Sequence, residues 1–490
     1  MSTAALADAR PHRLSDAALA SLGAGRPDRA TVVELKKSQL SRNLLLLHEI
    51  AAVVGPGPLT ELAEAERANP TRVRELIARP LFGVWAAGCL RALQAGKNPE
   101  ISHLSALARA ARLPRQQPDK SQQPNKSLKA THNGQSITVR LDDSDPLRAH
   151  LGLRPAPPLD PAQHARWQRT FTEAWRLLVT SVPADAEVLA AVLDCVVPVL
   201  PDPAARGISA TSADAFGAVA ISEPADATAL AVGLLHETQH SILNAVQYLF
   251  DLLEKPATLG YSPWRDDPRP ASGILHGAYA YLTVTRFWRT QSTDPLAQTD
   301  PLAQFEFARW RAAVSDAAGK LRDLTPAGAR FIEAMSAEVR PWLDEPVDPG
   351  VLRLAESANR DHYLRWRLRN RHVDPAGARE LRRAWRAGEA RPDVTSELRP
   401  APKRALEASA RLDLTHRFLR GDPLTGPRGE PLTGSDGDVA YVRGDVAAAL
   451  RAYTDDGVGL ILAGGFDVAP ELAAVLSDEP DRLAILGWLS

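Results

Sequence analysis

Apolar positions recur at helical spacing along most of the chain. From Thr31 to Val54, Val33, Leu35, Leu40, Leu44, Leu45, Leu46, Ile50 and Val53 fall on a period near 3.6 and predict a helix. Further helical runs cover Leu59–Glu66, Val73–Leu93 (interrupted at Pro80) and Leu104–Leu113. Arg115–Gln135 breaks the pattern: it is rich in Gln, Pro, Lys, Ser and Asn and holds almost no large apolar residue. A segment of that kind buries too little surface to offset its ordering entropy and is expected to be a flexible linker. Ile137-Thr138-Val139-Arg140-Leu141 alternates and predicts a short strand, and Phe216–Ile221 is a second strand candidate.

A helix from about Asp226 to Glu254 follows, apolar over most of its surface through Leu230, Leu234, Leu235, Ile242, Leu243, Val246, Leu249, Phe250 and Leu253. A helix greasy nearly all round is expected to be buried. Gly273–Arg289, Gln304–Leu321, Pro326–Leu343 and Val351–Arg371 are amphipathic helices broken by Pro or Gly. After Pro392 the chain is Pro- and Gly-rich to about Asp436, and Gly437–Tyr453 has the small and aromatic spacing of one tetratricopeptide-like helix pair. The fold class expected is mainly α with a small β element.

The buried helix carries the chemistry. His236-Glu237-Thr238-Gln239-His240 puts two histidines four apart, on one face and one turn from each other, where both imidazoles can bind one cation. Chance yields such a motif on the order of once in fifty chains of this composition. His236, His240, Asn244 and Gln247 form a polar stripe on a greasy helix, and buried polar groups need partners. The third ligand decides the class. The residues after His240, Ser241 to Val246, lack the glycine and third histidine of one zinc protease class, and Glu254 lies several turns away. His276, in Gly273-Ile274-Leu275-His276-Gly277, opens the next amphipathic helix and is the better candidate, with Asp266 and Asp267 in the preceding loop as the others.

Leu235–Ser241, together with Arg269-Pro270, Gly273 and Leu275–Ala280, resembles the HExxH-motif peptide-modifying proteins. These are 2-oxoglutarate-dependent β-hydroxylases of ribosomally synthesised peptides. Gln39–Leu47, Leu324–Gly328 and Tyr363–Arg371 resemble further segments of that family, so the likeness spans most of the chain, with specificity in the two histidine segments. The resemblance implies an Fe(II) site, 2-oxoglutarate and O₂ as co-substrates, and hydroxylation at Cβ of a residue in a precursor peptide with a leader segment. It makes His236, His240 and His276 the iron ligands. Three protein ligands on one face leave open positions for a keto acid and O₂, although a third histidine replaces the usual carboxylate. Glu237 would then position substrate or ligands, and Arg269 and Arg265 are the candidates to clamp the 2-oxoglutarate carboxylate. Arg286 is too far along the helix. The rivals are a zinc metallopeptidase with Glu237 as general base and a peptide-binding scaffold with a structural metal.

These readings divide the chain into an N-terminal helical unit (1–114), a linker (115–136), a metal domain (137–345), a helical region with a Pro/Gly-rich segment (346–435) and a C-terminal cap (436–490). A chain of 490 residues is long enough for several packed units. The net charge of -1 gives no reason to expect nucleic acid or an anionic membrane as partner. Arg360–His372 is basic and bears aromatics. It reads first as a solvated helix face around a buried Trp, and second as a seat for an acidic leader. Cys89 and Cys195 are expected to be buried thiols of a cytoplasmic protein, and no apolar run is long enough for a membrane span. His12, His48, His103 and His132 lack partners at ligand spacing. Oligomeric state is left open.

Overall fold

The computed structural model describes residues 11–55, 57–99, 101–112, 126–202, 207–293, 300–401 and 409–490. It is mainly helical with three small sheets, as the hydrophobic periodicity requires. The chain divides into two compact units. The first comprises Met1–Glu254, Tyr279–Phe287 and Leu324–Glu338, and the second Lys255–Ala278, Trp288–Asp323 and Val339–Ser490.

The first unit begins with helices Asp16–Gly23, Arg29–Val54, Thr60–Ala68, Pro70–Ile77, Pro80–Gln94 and Ser102–Arg112. Pro80 does not merely interrupt the expected Val73–Leu93 helix. It takes the first-turn position of a new one, where its missing N–H costs nothing, and the two axes meet at 73°. No single helix among the described residues is long and apolar enough to cross a membrane.

A five-stranded mixed sheet follows, in the order β1-β2-β3-β5-β4. Its strands are β1 (Ser127–His132), β2 (Gln135–Leu141), β3 (Cys195–Val199), β4 (Ser209–Ala210) and β5 (Ala218–Ser222). β1–β2 and β4–β5 are antiparallel, while β2–β3 and β3–β5 are parallel. Helices Pro161–Ser181 and Pro183–Val192 make the crossover that a parallel β2–β3 pair needs. β3 and β5 are buried on both faces and read as unbroken apolar runs. Cys195, Val197, Ala218 and Ala220 share one core with Leu47, Ile50, Phe82 and Trp85 of the N-terminal helices. Each large side chain fully buried there contributes about 1.5–3 kcal/mol.

The linker expectation is corrected where the structure describes it. Residues 115–125 lie outside the described residues, but Ser127–His132 is a strand. Leu128 and Ala130 point into the core and Lys129 and Thr131 away from it. Asn133 and Gly134, both at positive φ, turn the chain back into β2. Cys89 and Cys195 are free and buried, as expected.

The second unit holds two small hairpins, β6 (Leu259–Ser262) with β7 (Arg265–Pro270) and β8 (Arg371–Val373) with β9 (Ser396–Leu398). The segment expected as a loop before His276 is therefore the first hairpin. Its main helices include Pro301–Lys320, Pro349–Asn370 and Pro375–Ala387. The C-terminal stretch has the helix pair expected over Gly437–Tyr453 and continues beyond it. Asp436–Arg443 and Val446–Ala452 are two short helices followed by three more, and Tyr441, Tyr453, Ile461 and Leu486 belong to one core with Leu364 and Leu381.

Candidate metal centre

The motif helix spans Ala227–Leu249, in the first unit. Asp226 caps it by accepting from the Ala229 N–H at 2.8 Å. The helix contacts β4, β5 and the helices Arg29–Val54, Pro161–Ser181 and Pro183–Val192, which is why it is apolar on most sides.

His236 Nε2 and His240 Nε2 stand 3.0 Å apart, with ring planes at 85°. At that distance two bare lone pairs would repel, so the pair requires a shared proton or a cation. Two imidazoles bound at about 2.1 Å and 90° to one ion place their nitrogens about 3.0 Å apart, against about 3.4 Å for tetrahedral angles. The observed spacing is that of an N–H···N hydrogen bond and equals that of two adjacent corners of an octahedron. Burial depresses the His236 pKa, opposed by the Glu237 charge, and so favours the neutral imidazole that a metal takes. The Tyr281 ring meets His236 edge-on at 5.2 Å between centroids.

Glu237 projects elsewhere. It is 3% exposed, and its carboxylate accepts from Ser209 Oγ at 2.7 Å and Thr211 Oγ1 at 2.6 Å. The two-residue period of extended chain turns both hydroxyls the same way. Neither Ser209 nor Thr211 was singled out from the sequence. Their spacing ahead of an apolar strand was the available signal, but nothing local says which carboxylate they meet.

The polar stripe also differs from expectation. His236, His240, Asn244 and Gln247 are only half-buried, whereas Glu237, Thr238, Gln239 and Ser241 are the buried polar residues. The stripe is thus the accessible side of the helix, and an accessible pair suits a site that must admit ligands.

His276 lies in the second unit, in the second turn of the helix Ala271–Ser292. Burial first, and the Arg269 charge second, lower its pKa to about 4, so it too is neutral at pH 7. Among the described residues, no group of three or more His, Cys, Asp or Glu side chains is gathered to hold a metal. Asp267 is 3% exposed and shared by Arg265, at 2.9 Å, and Arg269, at 3.6 Å. Both proposed clamp arginines are therefore already engaged with one carboxylate, although two guanidiniums on one carboxylate leave a net positive charge. Asp266 faces His362, with 3.5 Å between Oδ1 and Nε2. Arg286 is a structural residue, tied to Asp185 at 2.5 Å and to Glu338 at 3.2 Å.

Arg360–His372 is an anchored helix face. Arg365 binds Asp361 and Arg367 binds Glu471, Arg371 meets Ser396, Arg360 donates to the Phe466 carbonyl, and Trp366 is 5% exposed. Charge reversal there acts on stability first. Arg367→Glu is expected to cost about 2 kcal/mol or more, because Glu471 is buried and would face a like charge. Chemical denaturation at pH 7 checks this. No loss would mean that Arg367 is free to serve a partner.

No protein-family model matches the chain, and the search of curated proteins finds no match.

Proposed function

We propose that this chain is an iron(II)- and 2-oxoglutarate-dependent oxygenase that hydroxylates Cβ of a residue in a ribosomally synthesised precursor peptide. The observation that carries the metal assignment is the 3.0 Å His236–His240 pair on the accessible side of a buried helix. The choice of oxygenase over zinc peptidase rests on the family resemblance and on Glu237. A hydrolytic base must present its carboxylate to a metal-bound water. Here both carboxylate oxygens accept hydroxyls from β4 and the residue after it, which suits a fixed anion better than a mobile base.

His236 and His240 are the ligands proposed from geometry, and His276 is proposed as the third on the resemblance. Iron(II) with 2-oxoglutarate and O₂ would supply the oxidising chemistry. Burial favours the neutral imidazole at His236 and at His276, and Arg265 and Arg269 offer the surplus positive charge that a keto-acid carboxylate needs.

Replacing Glu237 by Gln separates the readings. The amide still accepts one hydroxyl, so succinate formation from 2-oxoglutarate is expected to survive within about tenfold. A peptidase would lose about a hundredfold or more with its base. Cleavage of unmodified peptide by the wild type, abolished in Glu237→Gln, would reverse the assignment to zinc.

A further inference from the structure

The second unit holds a cavity of about 60 Å³. Asp266 of β7, Arg309 of the helix Pro301–Lys320 and His362 of the helix Pro349–Asn370 line it. A space of that size holds about four waters or one small molecule.

Most polar groups around it are satisfied. Arg411 is spent on Asp361, Asp438 and Asp456, Arg365 on Asp361, and Ser357 on the Tyr441 hydroxyl. Three atoms are not. Asp266 Oδ2, Arg309 Nε and His362 Nε2 are buried without a hydrogen-bond partner. Asp266 and Arg309 are only 6% and 7% exposed, and the Arg309 guanidinium forms no hydrogen bond or ion pair with a described residue. It stacks on the Trp310 ring at 4.2 Å, and the nearby Glu306 is taken by Trp310 Nε1 and His416. A buried guanidinium N–H without an acceptor, and a carboxylate oxygen without a donor, are each costly.

The three groups are also held in place. Asn370 Nδ2 donates to the Asp266 carbonyl and Asn359 Nδ2 to the Arg309 carbonyl, at 2.8 and 2.9 Å. Tyr261 OH lies 2.8 Å from His362 Nδ1, and burial raises the Tyr261 pKa, so the phenol keeps its proton. A hydroxyl that donates to Nδ1 leaves the imidazole proton on Nε2, which lines the cavity 3.5 Å from Asp266 Oδ1. The cavity is therefore lined by a guanidinium N–H, an imidazole nitrogen and a carboxylate oxygen, none of them spent on another group.

We propose that this cavity binds a small oxyanion that still carries a proton, of the dihydrogen phosphate or bicarbonate kind. The anion's oxygens accept from Arg309 and His362, and its own O–H donates to Asp266 Oδ2. Sulfate has no proton at neutral pH and would set an oxygen against the Asp266 carboxylate, so the site discriminates by repulsion as well as attraction.

Calorimetric titration of the full-length protein at pH 7 with phosphate, bicarbonate and sulfate tests this, with no iron or peptide needed. Phosphate or bicarbonate is expected to bind saturably, one per chain, and sulfate about tenfold more weakly or worse. Which of the first two binds identifies the source. Asp266→Asn replaces the acceptor by an N–H and should gain sulfate binding, a gain that a misfolded chain cannot supply. Arg309→Met should lose every anion. The proposal is overturned if neither phosphate nor bicarbonate saturates the wild type, as a water-filled cavity requires. It is also overturned if sulfate binds the wild type equally well, or if Asp266→Asn leaves the preference unchanged.

Discussion

Alanine at His236 or at His240 is expected to remove stoichiometric metal binding while leaving the helix folded. The two imidazoles converge at 3.0 Å, so either substitution leaves a single nitrogen on that face and ends chelation by the pair. Outer partners of metal ligands already change affinity by about 10–100-fold, so loss of a ligand should exceed a hundredfold. Metal content after anaerobic purification, with circular dichroism as the folding control, measures this. The helix should persist because its core face consists of other residues, Leu234, Leu235, Ile242 and Leu243 among them. His276→Ala belongs in the same experiment. Full metal occupancy and activity in that variant would exclude it as third ligand, and would return Asp266 and Asp267 to consideration.

Replacing Arg411 by Met is expected to be the most damaging single change to the second unit, at about 3–5 kcal/mol. Arg411 is 3% exposed and serves Asp361, Asp438 and Asp456 together. Asp361 would keep Arg365, and Asp438 would keep the Tyr453 hydroxyl at 2.9 Å. Their shared counter-charge would be gone. An uncompensated buried carboxylate has its pKa raised above the unfolded value, so the folded state then binds more protons. Stability of the variant should fall as pH rises through the carboxylate range, and the deficit against wild type should shrink in mild acid. Urea denaturation at pH 5 and pH 7 reads both effects. A uniform loss at the two values would mean that packing, not charge, carries the role of Arg411.

What was legible in the sequence was local. His236 and His240 are one helical turn apart, so their convergence follows from chain geometry alone. Ile137–Leu141 announced itself by alternation, and β1 has the same alternation in Leu128 and Ala130. Its Lys and Thr neighbours and the polar run before it suggested a linker instead. β3 contains Pro198, which sequence reasoning takes as a mark against a central strand. The structure accommodates it, with its carbonyl accepting from the Ala156 N–H at 2.9 Å. The partners of the charged residues were not legible. Arg367 meets Glu471 across 104 residues and Arg411 meets Asp361 across 50, and Glu237 meets Ser209 across 28. Such pairings are set by tertiary packing, and a charge run reads the same whether it faces solvent or buried carboxylates.

The most direct test of the proposed activity supplies isotopically labelled O₂ to anaerobically purified, iron(II)-loaded protein with 2-oxoglutarate and the full-length precursor peptide. The account predicts succinate formed one for one with a peptide that has gained one oxygen atom, drawn from O₂ and located at a Cβ. His236→Ala should yield neither product. Peptide cleavage without succinate, or an incorporated oxygen that comes from water, would contradict it.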